Sequence, residues 1–132
     1  MVIVVDTSVI LAVVLNEPGK SALIRLTVGA ELIAPASLHW EIGNAFSAML
    51  KRKRLTLDEV RQAVVEYRKI PVRLLDVSLD DAMTLVAQFS IYAYDAYMIS
   101  CARIHSAPLI TIDNGLKSAA EAAGVTTLEV LP

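Results

Sequence analysis

The apolar positions of this chain gather into short, dense runs separated by helix-length segments. Val2-Ile3-Val4-Val5 is the first run, and similar ones lie at 32–34, 72–77, 109–112 and 126–130. Their brevity and β-branched content predict five strands, and continuous rather than alternating apolar character predicts burial on both faces. Strands alternating with helices make an α/β fold: a central, mostly parallel five-stranded sheet flanked by helices.

Boundary signals place the helices. Thr56-Leu57-Asp58-Glu59 fits a capping box, in which the Thr hydroxyl and the Glu carboxylate each satisfy the other's orphan backbone N–H. A helix is predicted from there to about Lys69. Ser78-Leu79-Asp80-Asp81 opens another in the same way, and Gly124 is placed to end one that begins near Leu116. Further helices are predicted at 21–28 and 38–53. Gly19-Lys20-Ser21 has the tail of a phosphate loop without its upstream glycine or preceding strand, and reads as a turn into a helix. With no repeat, low-complexity tract or linker, residues 1–132 are expected to form one domain.

Composition narrows this picture. A 132-residue chain that is 55% apolar has ample material for a core, and the excess points to a surface that a partner covers. No apolar run is long enough to span a membrane, because Asp6 and the polar stretch from Asn16 to Lys20 interrupt the first one. The N-terminus lacks the basic region of a secretory signal, so a cytoplasmic location is expected. Cys101 is the one cysteine, which excludes an intrachain disulfide and reads as a small buried hydrophobe. Twelve basic against fourteen acidic residues give a net charge of −2, which does not mark a nucleic-acid binder. Lys51-Arg52-Lys53-Arg54 is the only basic cluster, and it fits a solvated helix end or a phosphate contact equally well.

The chemistry rests with the acids. Asp6 follows the first strand directly, and Asp113 comes one residue after the fourth. Ligands of open parallel sheets bind outside such strand ends. Taken singly, Asp6 reads equally as the cap of a helix starting near Thr7, and Asp113-Asn114-Gly115 as a turn. Glu41 stands in an apolar helical segment with Asn44 three residues on, on the same face. Asp95 is the one charge in Ile91-Tyr92-Ala93-Tyr94-Asp95-Ala96-Tyr97-Met98-Ile99-Ser100-Cys101-Ala102. A lone carboxylate there must be paired, bonded, bound to a cation, or used as an N-cap. His39 and His105 form no metal-spaced pair, and Ser8 has no His-Asp relay.

Val4-Val5-Asp6-Thr7-Ser8, Glu41-x-x-Asn44-Ala45, Tyr94-Asp95-Ala96-x-Met98 and Thr111-x-Asp113 resemble, in order and spacing, the acidic motifs of the PIN domain. The resemblance covers essentially the whole chain. A chain of this length looks like the VapC toxins of toxin–antitoxin pairs. It implies that Asp6, Glu41, Asp95 and Asp113 form one metal-binding catalytic site, with Asp6 and Asp95 the principal ligands. Ser8, Asn44 and Thr111 are expected to orient those carboxylates or contact phosphate. An all-carboxylate set suits Mg²⁺ or Mn²⁺ better than zinc. The implied activity is metal-dependent cleavage of RNA, held in check by a VapB-like antitoxin, in a homodimer whose contacts use apolar faces of 21–28 and 38–50. A catalytically inactive PIN-fold module that binds RNA or protein is the alternative. A phosphatase of the haloacid-dehalogenase type would need a second Asp where Ser8 stands.

Overall fold

A computed structural model describes residues 1–131. In chain order the elements are β1 (Val2–Val5), α1 (Thr7–Val14), α2 (Lys20–Thr27), β2 (Glu31–Pro35), α3 (Ser37–Lys51), α4 (Leu57–Arg68), β3 (Val72–Leu75), α5 (Leu79–Phe89), α6 (Ala93–Ile104), β4 (Leu109–Ile110) and α7 (Asn114–Ala122). The strands form an all-parallel sheet in the order β3-β2-β1-β4. Ile3, Val4 and Val5 are successive and all buried, so both faces of β1 are covered, as its unbroken apolar run requires. Helix α6 packs across β1, β2 and β4, while α1 packs against α2, α3 and α4. The edge strand β3 departs from the expected two-sided burial, with Arg73 and Leu74 exposed.

The sheet has four strands among the described residues, not five. Residues 126–130 reach the edge of β4 but touch it at a single bridge, Leu109 to Thr127, held by Leu109 N–H to the Thr126 carbonyl and Leu128 N–H to the Leu109 carbonyl. Strand β4 is too short to template more. The Ile112 N–H goes to the Ser8 hydroxyl and the Asp113 N–H to the Thr111 hydroxyl, so side-chain bonds end the strand two residues earlier than its apolar run.

The caps form as the sequence requires. Thr56 and Glu59 complete the capping box of α4, and the Ser78 hydroxyl accepts the Asp81 N–H at the start of α5. Gly19 is the N-cap of α2, so Gly19-Lys20-Ser21 is a turn into a helix. Gly124 takes the left-handed conformation just beyond α7. Leu38, Ile42 and Phe46 of α3 are buried in this chain's own core. Much of the apolar face at 38–50 thus packs inward, with Trp40 left exposed, whereas Ile24 and Leu26 of α2 and its C-cap Val28 are exposed. Cys101 lies in the core with its thiol pushed up to about 11 by burial, as an inert hydrophobe should. No helix among the described residues is long and apolar enough to cross a membrane.

Candidate active site

Strand order fixes where a ligand can sit. The chain steps outward from β1 to β2 and β3, then returns to lay β4 on the other side of β1. The C-terminal ends of β1 and β4 therefore flank the point where the strand order reverses. Val5 is opposite Ile110 in the parallel register, so the next residues to meet are Asp6 and Thr111. The Thr111 hydroxyl donates to Asp6 Oδ2 at 2.8 Å.

Asp6 is buried, at 6% exposure. A carboxylate can stay there because its Oδ2 collects three donors: the Ser8 hydroxyl at 2.6 Å, the Thr111 hydroxyl and, at 3.3 Å, the Ser8 N–H. The last is the N-cap bond of α1, so the capping role and the site role fall on one side chain. Asp113 repeats the arrangement on the surface, its Oδ1 accepting the Leu116 N–H at 3.1 Å to cap α7. Asp95 is not an N-cap; Tyr92 holds that position, and Asp95 stands in the first turn of α6. Since α6 leads straight into the start of β4, its own N-terminus lies at the opposite, C-terminal edge of the sheet. Glu41 is carried to the same edge by α3, which begins just after β2.

Electrostatics show that the four acids sense one another. Burial pushes Glu41 up from 4.5 to about 7; the Thr7 hydroxyl works against this, and the charges of Asp6 and Asp95 add to it. Asp95 is raised as well, first by burial, then by Asp113 and Asp6. The N-termini of α1, α6 and α7 all face this cluster and offset part of the repulsion. Among the described residues, no three His, Cys, Asp or Glu side chains stand at distances that enclose a metal ion. The acids are thus a coupled cluster rather than a closed cage.

Each acid nevertheless keeps a free oxygen. Asp6 Oδ1, Glu41 Oε1, Asp113 Oδ2 and both oxygens of Asp95 accept no hydrogen bond from any described residue. Such a donor set, all oxygen and repelling itself, fits a hard divalent cation. Ser8 and Thr111 both donate to Asp6 Oδ2, with their hydroxyls 3.3 Å apart. Asn44 is exposed and bonds to none of the acids. Thr7 carries no mark in the sequence beyond its place beside Asp6 at the start of a helix, yet its hydroxyl holds Glu41 Oε2 at 3.1 Å. His39 packs edge-on against Trp40, and His105 caps the end of α6, so neither joins the acids.

The chain as a whole matches a known family. The PIN-domain profile matches residues 3–122, and the chain belongs to the PIN-domain family. Among solved structures it is similar to PAE2754 from Pyrobaculum aerophilum, with a TM-score of 0.72, 17% identity, and 95% of this chain and 82% of that one covered. It is also similar to VapC20 of Mycobacterium tuberculosis, a sarcin-ricin loop cleaving toxin, with a TM-score of 0.67, 16% identity, and 96% and 98% covered. A toxin–antitoxin complex from Klebsiella pneumoniae matches with a TM-score of 0.60, 16% identity, and 97% and 98% covered. At these identities the likeness is one of fold. No curated protein sequence matches significantly.

Proposed function

We propose that this protein is a divalent-metal-dependent endoribonuclease, Asp6, Glu41, Asp95 and Asp113 forming its active site, and that it acts as the toxin of a type II toxin–antitoxin pair in the cytoplasm. The observation that carries the reading is the coupling of four carboxylates from four separate elements, each with a free oxygen, at the point where strand order reverses. Mg²⁺ or Mn²⁺, when bound, supplies Lewis-acid activation of water and neutralises phosphate charge. Asp6 and Asp95 are the principal ligands: Asp6 is held rigid through Oδ2 with Oδ1 presented, and Asp95 has both oxygens available. Glu41, whose carboxyl pKa is held up by burial in the ion-free cluster, is the candidate to take a proton from the attacking water. Thr7 keeps its carboxylate oriented, and Asp113 completes the site from the surface side.

RNA as substrate and an antitoxin as partner are supported by the fold shared with a loop-cleaving toxin and a toxin–antitoxin complex. The exposed apolar side chains of Ile24 and Leu26 on α2 and of Val28 at its C-cap are the surface proposed for a partner, either the VapB-like antitoxin or the second subunit of a homodimer.

The test is cleavage of a structured RNA by purified protein in Mn²⁺ or Mg²⁺ against the same reaction in chelator. Cleavage should need the ion and vanish in Asp6→Asn; equal cleavage by that variant would overturn the assignment. The rival reading, a PIN-fold module that binds without turnover, is favoured by the spread of the acids beyond ligand distance. Calorimetric titration separates the two, since absence of Mn²⁺ binding to the wild type would favour the module.

A further inference from the structure

The basic cluster Lys51-Arg52-Lys53-Arg54 lies at the C-terminal end of the helix that carries Glu41. Lys51 ends α3, Arg52 is its C-cap, and Lys53 and Arg54 follow. All four are exposed, and none forms an ion pair among the described residues. The nearest acids in sequence, Asp58 and Glu59, are engaged elsewhere, Asp58 with Arg61 and Glu59 in the capping box of α4.

The backbone beneath the cluster is a Schellman turn. The Lys53 N–H reaches the Leu50 carbonyl and the Arg54 N–H reaches the Met49 carbonyl, which leaves Lys53 in the left-handed region at φ 56°. That position favours glycine, because a Cβ there crowds the following carbonyl. A lysine therefore occupies a site where the fold alone would prefer no side chain. The turn fixes the direction in which the cations project.

Along α3 a stripe runs from Trp40, one residue before Glu41, to the cluster, exposed except at the half-buried Ser47. Trp40, Asn44, Ser47 and Lys51 follow one another at helical spacings of four, three and four, and so share a face. Trp40 is 68% exposed, and His39 braces it edge-on with centroids 5.0 Å apart. From Glu41 to Lys51 the helix rises about 15 Å, a distance that a few nucleotides span. A bare aromatic face followed by unpaired cations is how single strands are held without base readout.

We infer that Lys51, Arg52, Lys53 and Arg54 grip the backbone of an RNA strand that runs along α3 from the acidic centre, with Trp40 stacking a base beside Glu41, where the stripe begins. This rests on the nuclease reading, because it is the acidic site that gives the strand its starting point. An acidic protein segment is the weaker occupant, because it has no base to stack on the exposed indole.

The test measures fluorescence anisotropy of a labelled, mixed-sequence single-stranded RNA of 16 nucleotides in Ca²⁺, over a salt series. The variant Lys51→Gln/Arg52→Gln/Lys53→Gly/Arg54→Gln should bind about tenfold more weakly, or worse, near physiological salt. Its log K against log salt should flatten by about 0.7 for each phosphate that the missing cations no longer neutralise. Lys53→Gly alone should lower RNA affinity while raising the melting temperature or leaving it unchanged, an outcome that a structural role for Lys53 would not give. Trp40→Leu should weaken binding at all salt concentrations without changing the slope. Arg52→Lys with Arg54→Lys should retain affinity. Unchanged RNA binding by the fourfold variant overturns the proposal, as does an abolished affinity for poly-glutamate with RNA binding intact. A wild type that binds RNA through these residues but never cleaves it would instead overturn the nuclease reading.

Discussion

Thr111 donates its hydroxyl to Asp6 Oδ2 across the β1–β4 pairing, and this 2.8 Å bond joins the residue after one strand to the residue after the other. The bond is buried, and it falls on Oδ2, leaving Asp6 Oδ1 without a donor among the described residues. Thr111→Val keeps the shape and removes the donor. It should cost roughly 1–3 kcal/mol of stability, because a buried carboxylate loses part of its compensation. Mn²⁺ affinity should fall roughly tenfold or more through the loosened carboxylate. Thermal melts and calorimetric titration read the two effects separately. Unchanged metal affinity would show that Thr111 serves only the fold.

Glu41 makes the metal-free protein sensitive to pH in a direction opposite to that of most carboxylates. Its folded value, about 7, lies above its ordinary 4.5, so the folded state holds a proton that the unfolded chain releases. The associated stability is present below about 4.5 and is lost as pH rises through about 7. Asp95 is raised too and acts in the same direction. Melting temperature in chelator should therefore decline between pH 5 and pH 8, and Glu41→Gln should flatten the decline while leaving that of Asp95. Saturating Mn²⁺ should restore stability most at the high end, where Glu41 has lost its proton. A melting temperature that rises with pH in chelator would contradict this account.

The same bonds explain what the sequence could and could not reveal. Asp6 and Asp113 were legible because strand runs end visibly and acids follow them. Asp95 was legible because it stands alone among apolar residues. A cap does not use up the carboxylate at Asp6 or Asp113, since one oxygen caps a helix and the other accepts no hydrogen bond from a described residue. The fifth strand failed for a related reason. The apolar run at 109–112 is long enough for a fuller ladder, but the N–H of Asp113, which alternation from Leu109 turns towards 126–130, goes to the Thr111 hydroxyl. Bonds between side chains distant in sequence have no local signature, and Thr7 was missed on the same account. The apolar residues of α3 were visible, but whether they faced this chain's core or a partner depended on packing that no single segment encodes.

The capping box of α4 offers a control remote from the acids. Thr56 accepts the Glu59 N–H, and Glu59 accepts the Thr56 N–H, at the exposed start of the helix. Thr56→Ala should cost roughly 0.5–2 kcal/mol in denaturant unfolding and leave Mn²⁺ affinity and RNA cleavage at wild-type levels in the folded protein. Lost cleavage at full folding would mean that α4 supports the site in a way its packing does not show.

Gly115 tests whether the position of Asp113 matters or only its charge. A Cβ built at Gly115 would sit 3.3 Å from Asp113 Oδ1, the oxygen that caps α7. That approach is tight but not prohibitive, so Gly115→Ala should fold, with the carboxylate displaced by a few tenths of an ångström and its cap bond weakened. Alanine also favours the helix that begins at Asn114, which offsets part of the weakened cap. Stability should therefore change by less than about 1 kcal/mol, whereas cleavage should fall several-fold if Asp113 must hold its geometry. Asp113→Asn keeps the cap acceptor and removes the charge, and so provides the complementary case. If Gly115→Ala cleaves normally while Asp113→Asn does not, Asp113 contributes charge from the surface side of the site and need not be a fixed ligand. If both cleave normally, Asp113 belongs to the helix cap alone and the working site reduces to Asp6, Glu41 and Asp95.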